Sequence, residues 1–183
     1  MLYTIVRFDK SMLSLLPRSQ EPFEIIGRLV PKYNGQEWKS SEELFETPSE
    51  KLYPNDSFDP MTYIDNPNEA AFLAMIDEKC VGSLRVGKRW NGNAFIDDLA
   101  IDRDHRGKGI GKRLMDAAVR WSKECSFNGL SLETQSNNLL ACRFYLKYGF
   151  TLGGIDTMVY THPLYKDDIA LYFYLSDEMY STK

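Results

Sequence analysis

Cysteine and histidine are scarce in this chain, and each shortage closes off a class of chemistry. Only Cys80, Cys125 and Cys142 occur among 183 residues. An odd number with no C-x-x-C pair suggests neither a disulfide framework nor a zinc knuckle, and it suits a reducing, cytoplasmic compartment. The two histidines, His105 and His162, stand far apart with no metal-ligand spacing around them, so no metal site is expected. Long hydrophobic runs are missing too, none approaching the roughly 20 apolar residues that cross a bilayer. At the N-terminus Arg7, Asp9 and Lys10 interrupt the apolar residues, leaving no apolar region of the kind export requires. Positive charge is in deficit: 22 Lys and Arg against 26 Asp and Glu give a net charge of −4. That balance argues against a nucleic-acid partner and favours a cationic substrate. The reading is a soluble cytoplasmic protein with neither membrane nor nucleic acid as partner.

What is present fits one compact domain, since a chain of 183 residues that is 43% hydrophobic builds a sizeable core and is too short for two ordinary domains and a linker. Phe23 to Tyr33 and Glu37 to Phe45 flank Asn34-Gly35, a dipeptide suited to positive φ at both centres of a tight hairpin turn. Residues 47–68 carry Pro48, Pro54, Pro60 and Pro67 among polar neighbours and read as an extended surface loop with room for a helical turn. Ala71 to Ile76, Val81 to Lys88 and Ala94 to Ile101 read as a meander of three strands. The period then changes. Ile110, Leu114, Ala117, Ala118, Trp121 and Cys125 recur at helical spacing. Leu130 to Thr134 reads as a strand, Asn138 to Tyr148 as a helix stopped by Gly149, and Phe150 to Thr161 with Ile169 to Leu175 as a closing pair of strands. The expected class is α+β, a mixed and mostly antiparallel sheet with helices against it.

Two segments carry chemistry. Leu99-Ala100-Ile101 ends a strand, and Arg106-Gly107-Lys108-Gly109-Ile110-Gly111-Lys112 opens a helix a few residues later. Helix N-terminal amides lack intrahelical partners and carry partial positive charge, and glycines let a diphosphate approach them. Arg106, Lys108 and Lys112 add charge. A solvent-exposed turn with glycines chosen only for positive φ has the same spacing. Downstream, Asn138 to Phe150 has the form N-x-x-A-x-x-F-Y-x-x-x-G-F.

Together with R-x-x-G-x-G, this segment resembles the GNAT acetyltransferase family. The resemblance implies a single domain over 1–183, with acceptor-side elements in 1–70, an acetyl-CoA-binding core in 71–150 and a C-terminal hairpin in 151–183. It also implies a sheet splayed between the family's fourth and fifth strands, helices on both faces and acetyl-CoA as cosubstrate. Backbone groups of Leu99, Ala100 and Ile101 would pair with the pantetheine arm, the turn at 106–111 would bind pyrophosphate, and Asn138 would contact the pantetheine. Tyr145 would assist the departing thiol, which is easier to expel when a phenol protonates or hydrogen-bonds it; outside the motif, an aromatic packed at a helix end explains it better. An ordinary ammonium cannot attack until a base removes its proton. Glu133, five residues before Asn138, stands where several members carry a catalytic glutamate. Asp98 is the alternative base or an anchor for a second ammonium, and a charged residue at the sheet surface explains it as well. Cys142 lies among the helix motif residues, where a small semi-apolar side chain simply packs.

A narrower resemblance runs through Glu21 to Tyr33, Glu37-Trp38, Lys88 to Asn91, Leu132 to Asn138 and Gly154 to Met158, which look like streptothricin acetyltransferases. That group acetylates an amine of the antibiotic's β-lysine part and so confers resistance. It implies a cationic, streptothricin-like amine as partner and Trp38, Trp90, Asp98, Glu133 and Asp156 as substrate-binding residues. The acid-rich stretch with Glu42, Glu43, Glu46, Glu50, Asp56, Asp59, Asp65 and Glu69 would focus a field on such a cation, though a solvated loop carries the same charges; Tyr53 and Tyr63 offer further aromatic faces, and Trp38, Tyr53, Tyr63 and Trp90 serve equally well as core. Alternatives are acetylation of a protein N-terminus or another small amine, and a non-catalytic acyl-CoA-binding sensor. A homodimer is compatible with the chain.

Overall fold

The computed structural model describes residues 3–16, 21–54 and 57–176; Asp56 of the acid-rich stretch lies outside them. In chain order the strands and helices are β1 (Thr4–Arg7), β2 (Phe23–Tyr33), β3 (Trp38–Lys51), β4 (Glu69–Ile76), β5 (Lys79–Lys88), β6 (Ala94–Ile101), α1 (Ile110–Glu124), β7 (Gly129–Gln135), α2 (Leu139–Tyr148), β8 (Thr151–Asp156) and β9 (Ala170–Ser176). Short 3-10 turns occupy Lys10–Leu15, Pro60–Tyr63 and Arg103–His105. The class is α+β, as the alternation of periods predicts. The chain forms two compact units, each from two separated stretches: 1–21 with 54–130, and 22–53 with 131–183.

In the first unit β1, β4, β5 and β6 run antiparallel in that order. Ala70 to Ala74 are buried without alternation, because both faces of β4 are covered. On one face Ala71 and Leu73 join Phe8, Leu16, Tyr63 and Cys80 in a cluster edged by Val6, Met12, Phe58 and Ile64. On the other, Ala74 pairs with Gly82, where an added Cβ would meet Ile110 of α1 at 3.4 Å. Ile110, Leu114, Met115, Ala117, Ala118 and Trp121 of α1 are buried, and Lys112, Arg113, Arg120 and Lys123 are exposed, so the helix turns its apolar stripe to the sheet.

The structure adds to the sequence reading here. Residues 4–16, which carry no motif, form β1 and a cover for β4. Within the expected surface loop, Phe58, Tyr63 and Ile64 belong to the core: prolines prevent regular pairing but do not stop neighbouring apolar side chains from sealing a sheet face. The aromatic Tyr63 is thus core, 6% exposed.

In the second unit β2 and β3 form an antiparallel ribbon, and β8 pairs antiparallel with β9, which neighbours β7. Ile25 and Leu29 of β2 are buried, and α2 packs against β2 and β8. The hairpin turn differs from the two-residue form. Tyr33 pairs with Trp38, so four residues make the loop; only Gly35 takes positive φ, at 97°, and Asn34 Oδ1 instead accepts from the N–H groups of Gln36 and Glu37 at 3.0 and 2.9 Å. β3 runs on to Lys51, past Pro48, into what reads as loop. The pairing register shifts between Ile25 and Gly27, and at such a bulge a proline costs no ladder bond. β8 stops at Asp156, earlier than expected, and residues 157–169 form a long connection to β9.

Candidate active site

The glycine-rich turn closes the first unit's β6 and starts α1. Gly107 and Gly109 have φ of 73° and 84°, and Gly109 is the N-cap of α1, which no side chain caps. The helix therefore begins with amides that no side-chain cap serves, the arrangement an anion satisfies. Nothing lies within 4 Å of a Cβ built on Gly107. Both observations fit a diphosphate. The cations of the turn are partly engaged. Arg106 Nε donates to the Ile101 carbonyl at 3.0 Å, and Arg106 also reaches Glu21 at 3.4 Å. Lys108 Nζ donates to the Asp104 carbonyl at 2.6 Å, and Lys112 pairs with Asp116 at 2.9 Å. Glu21 accepts the Arg103 N–H at 2.7 Å as well. Glu21 thus helps to hold the turn.

Leu99, Ala100 and Ile101 lie on β6 opposite Leu84, Ser83 and Gly82. Asp98 stands opposite Arg85, whose Nε lies 3.8 Å from the carboxylate, and the guanidinium sits 3.9 Å from the centre of the Phe58 ring. A structural ion pair is thus part of what Asp98 does. Trp90 projects from the turn after β5, 97% exposed.

In the second unit Glu133 is on β7, and its partner comes from the long connection after β8: the Tyr160 hydroxyl donates to Glu133 Oε1 at 2.5 Å and accepts from Gln135 Nε2 at 2.7 Å. Burial, and then the bond to Glu133, push the Tyr160 phenol well above its ordinary range, so it remains a donor at neutral pH. Tyr53, following β3, donates in the same way to Asp168 and is likewise pushed up, first by burial. Its ring lies 6.1 Å from that of Tyr160 and stacks on Tyr165 at 4.6 Å. Of these residues the sequence points to Glu133 and Tyr53. Tyr160, Tyr165 and Asp168 carry no periodicity or motif spacing; the one available signal is the density of phenols and acids between Asp156 and Asp168.

The helix motif has a structural role first. Asn138 caps α2, its Oδ1 accepting from the Ala141 N–H at 3.3 Å. Tyr145 is 8% exposed, with Phe150 and Phe173 at 5.8 and 6.0 Å. Burial drives the Cys142 thiol up to about 12, which suits the packing reading and not that of a nucleophile. Arg143 clamps Glu42 with bonds of 2.9 and 2.5 Å. Trp38 contacts Tyr33 at the hairpin end, 5.2 Å between rings. Asp156 Oδ1 accepts from Met158 and Val159 N–H groups at 2.7 and 3.0 Å, starting the loop that carries Tyr160. Trp38 and Asp156 thus make local contacts within the second unit. Among the described residues no group of three His, Cys, Asp or Glu is placed to hold a metal, and no helix is long and apolar enough to cross a membrane.

Comparison with known proteins agrees with this geometry. The sequence model of the acetyltransferase (GNAT) family matches residues 37–150. Streptothricin acetyltransferase A of Bacillus subtilis is 39% identical over 157 residues, 86% of this chain and 90% of that protein. Streptothricin acetyltransferase of Escherichia coli is 40% identical over 108 residues, 58% of this chain and 62% of that one. The crystal structure of a candidate streptothricin acetyltransferase from Bacillus anthracis, in complex with acetyl coenzyme A, superposes with a TM-score of 0.85 at 34% identity, covering 96% of this chain and 99% of the other. An uncapped glycine-rich helix start, a buried tyrosine in the second helix and these likenesses together place the chain in the GNAT acetyltransferase family.

Proposed function

We propose that the chain transfers the acetyl group of acetyl-CoA to a primary amine of streptothricin, in its β-lysine part, and so confers resistance to the antibiotic. The observation that carries this reading is the 39% identity to streptothricin acetyltransferase A over 90% of that protein; a likeness spanning both units covers acceptor-side as well as cofactor-side residues. Acetyl-CoA supplies the acetyl group as a thioester. The first turn of α1, with Gly107, Gly109 and Gly111, holds the pyrophosphate on backbone N–H groups, helped by Arg106, Lys108 and Lys112. Leu99, Ala100, Ile101 and Asn138 align the pantetheine, and an N–H near Leu99 polarises the reacting carbonyl.

Glu133 takes the proton of the acceptor's ammonium, directly or through water. The neutral phenol of Tyr160, itself held by Gln135, fixes the carboxylate's orientation, so that the base is aimed before the acceptor arrives. Tyr145, its ring set by Phe150 and Phe173, hydrogen-bonds the departing sulfur. The transfer is sequential and needs no covalent enzyme intermediate.

The test is release of free CoA thiol with streptothricin, an unrelated polyamine and a peptide panel as acceptors. Saturable turnover with streptothricin alone is expected. Turnover confined to peptides moves the chain to N-terminal acetylation, and none with any acceptor leaves a sensor. In the same assay Tyr145→Phe should lower kcat by about 10²-fold or more with little change in acetyl-CoA affinity. Glu133→Gln should slow the reaction and displace its pH profile upward. Unchanged rates remove either residue from its role.

A further inference from the structure

Within the second unit, three side chains from two segments converge on one carboxylate. Asp168, 9% exposed, receives Lys51 Nζ and the Tyr53 hydroxyl on Oδ2 and Asn137 Nδ2 on Oδ1 at 2.7 Å. The Lys51 ammonium lies 5.3 Å from the centre of the Tyr53 ring and 5.2 Å from that of Tyr165. Beside them, the Asn137 carbonyl oxygen is buried with no hydrogen-bond donor among the described residues. A buried carboxylate, two phenol faces and an unused amide carbonyl are what an alkylammonium needs: a counter-charge, π surfaces for its stem and head, and an acceptor for a further N–H.

The chain fills this cage with its own ammonium. Lys51 is the one lysine or arginine between Glu42 and Glu69, and it sits at the last residue of β3 with its side chain 20% exposed, on a four-carbon stem of rotatable bonds. The cage is also one aromatic step from the base, since Tyr53 faces Tyr160 and Tyr160 donates to Glu133.

We infer that Asp168, Asn137, Tyr53 and Tyr165 form the subsite for a second ammonium of the acceptor, and that Lys51 is an intramolecular stand-in which the bound acceptor displaces. The inference rests on the reading of Glu133 as the base and of an oligoamine as acceptor. It makes the cage a device for choosing acceptors with two ammonium groups over those with one.

Removing the stand-in removes competition. Lys51→Met should lower the KM for streptothricin about three- to fivefold, the effect of removing one competing ion pair, and leave the KM for acetyl-CoA where it was. Asp168→Asn should raise the streptothricin KM by about tenfold or more. If Asp168→Asn does not fold, Lys51→Met decides alone, and a raised or unaltered KM in that variant overturns the inference.

Displacement is read separately by NMR of the 15N-labelled lysine ammonium groups without acetyl-CoA. The Lys51 signal, identified by its loss in Lys51→Met, should move to the position of exposed lysines as streptothricin or 1,5-diaminopentane saturates the protein. Turnover of streptothricin with a stationary Lys51 signal sinks the subsite and spares the proposed function. Displacement without turnover does the reverse. A protein that neither binds these amines nor turns them over loses both.

Discussion

Tyr160 shows how a residue without a motif governs one with a motif. Its phenol is held neutral by burial and by donation to Glu133, so the folded state keeps a proton that the unfolded chain releases near pH 10. With the native pKa raised above the unfolded value, the contribution to stability is complete below about pH 10 and is lost as pH climbs beyond it. Denaturant unfolding followed from neutral to strongly alkaline pH should therefore show a smaller alkaline loss in Tyr160→Phe than in the parent chain, and a smaller one again when Tyr53→Phe is added. Equal slopes would mean that neither phenol is held as described. Glu133 is singled out only by the family resemblance, five residues before Asn138. Tyr160 and Asp168 are not legible, because the thirteen-residue connection between β8 and β9 (residues 157–169) has no period to say which side chains turn inward.

At the scale of elements, the two helices handle their N-termini differently. α2 is capped by Asn138, while α1 starts at Gly109 in a left-handed conformation with no side-chain cap. A Cβ on Gly109 would meet only the Tyr3 hydroxyl, at 3.5 Å, so Gly109→Ala has space and pays through its backbone, about 1–2 kcal/mol. The expected outcome is a lower unfolding free energy of that size together with a raised KM for acetyl-CoA; loss of stability alone would separate the turn from cofactor binding. The helices and the three-strand meander read clearly from sequence, since apolar residues follow the period of 3.6 in α1 and the strands are bounded by Asp77-Glu78 and Asn91-Gly92 turns. The end of β3 does not, because Pro48 marks a break by local rules and only the bulge opposite Ile25 and Gly27 shows it is tolerated. The cover over β4 is hidden for a related reason: burial by irregular chain depends on tertiary contact, which leaves no periodic trace.

For the molecule as a whole, charge sets the terms of encounter. A net charge of −4 favours the approach of a polycation over that of an anion, and the proposed pyrophosphate site at the uncapped start of α1 works against that overall field. Raising ionic strength from about 0.05 to 0.5 M shortens the Debye length severalfold, so the KM for streptothricin should rise more steeply with salt than that for acetyl-CoA. Parallel dependences would show that local pairing, and not the overall field, recruits the antibiotic. The arrangement of thiols has its own practical result. Cys80 and Cys142 are buried and Cys125 is partly so, with its acidity weakened by burial. Disulfide reagents that develop colour with liberated CoA will meet almost no competing sulfur on the protein itself, and alkylating agents will mark Cys125 first while leaving the second helix untouched.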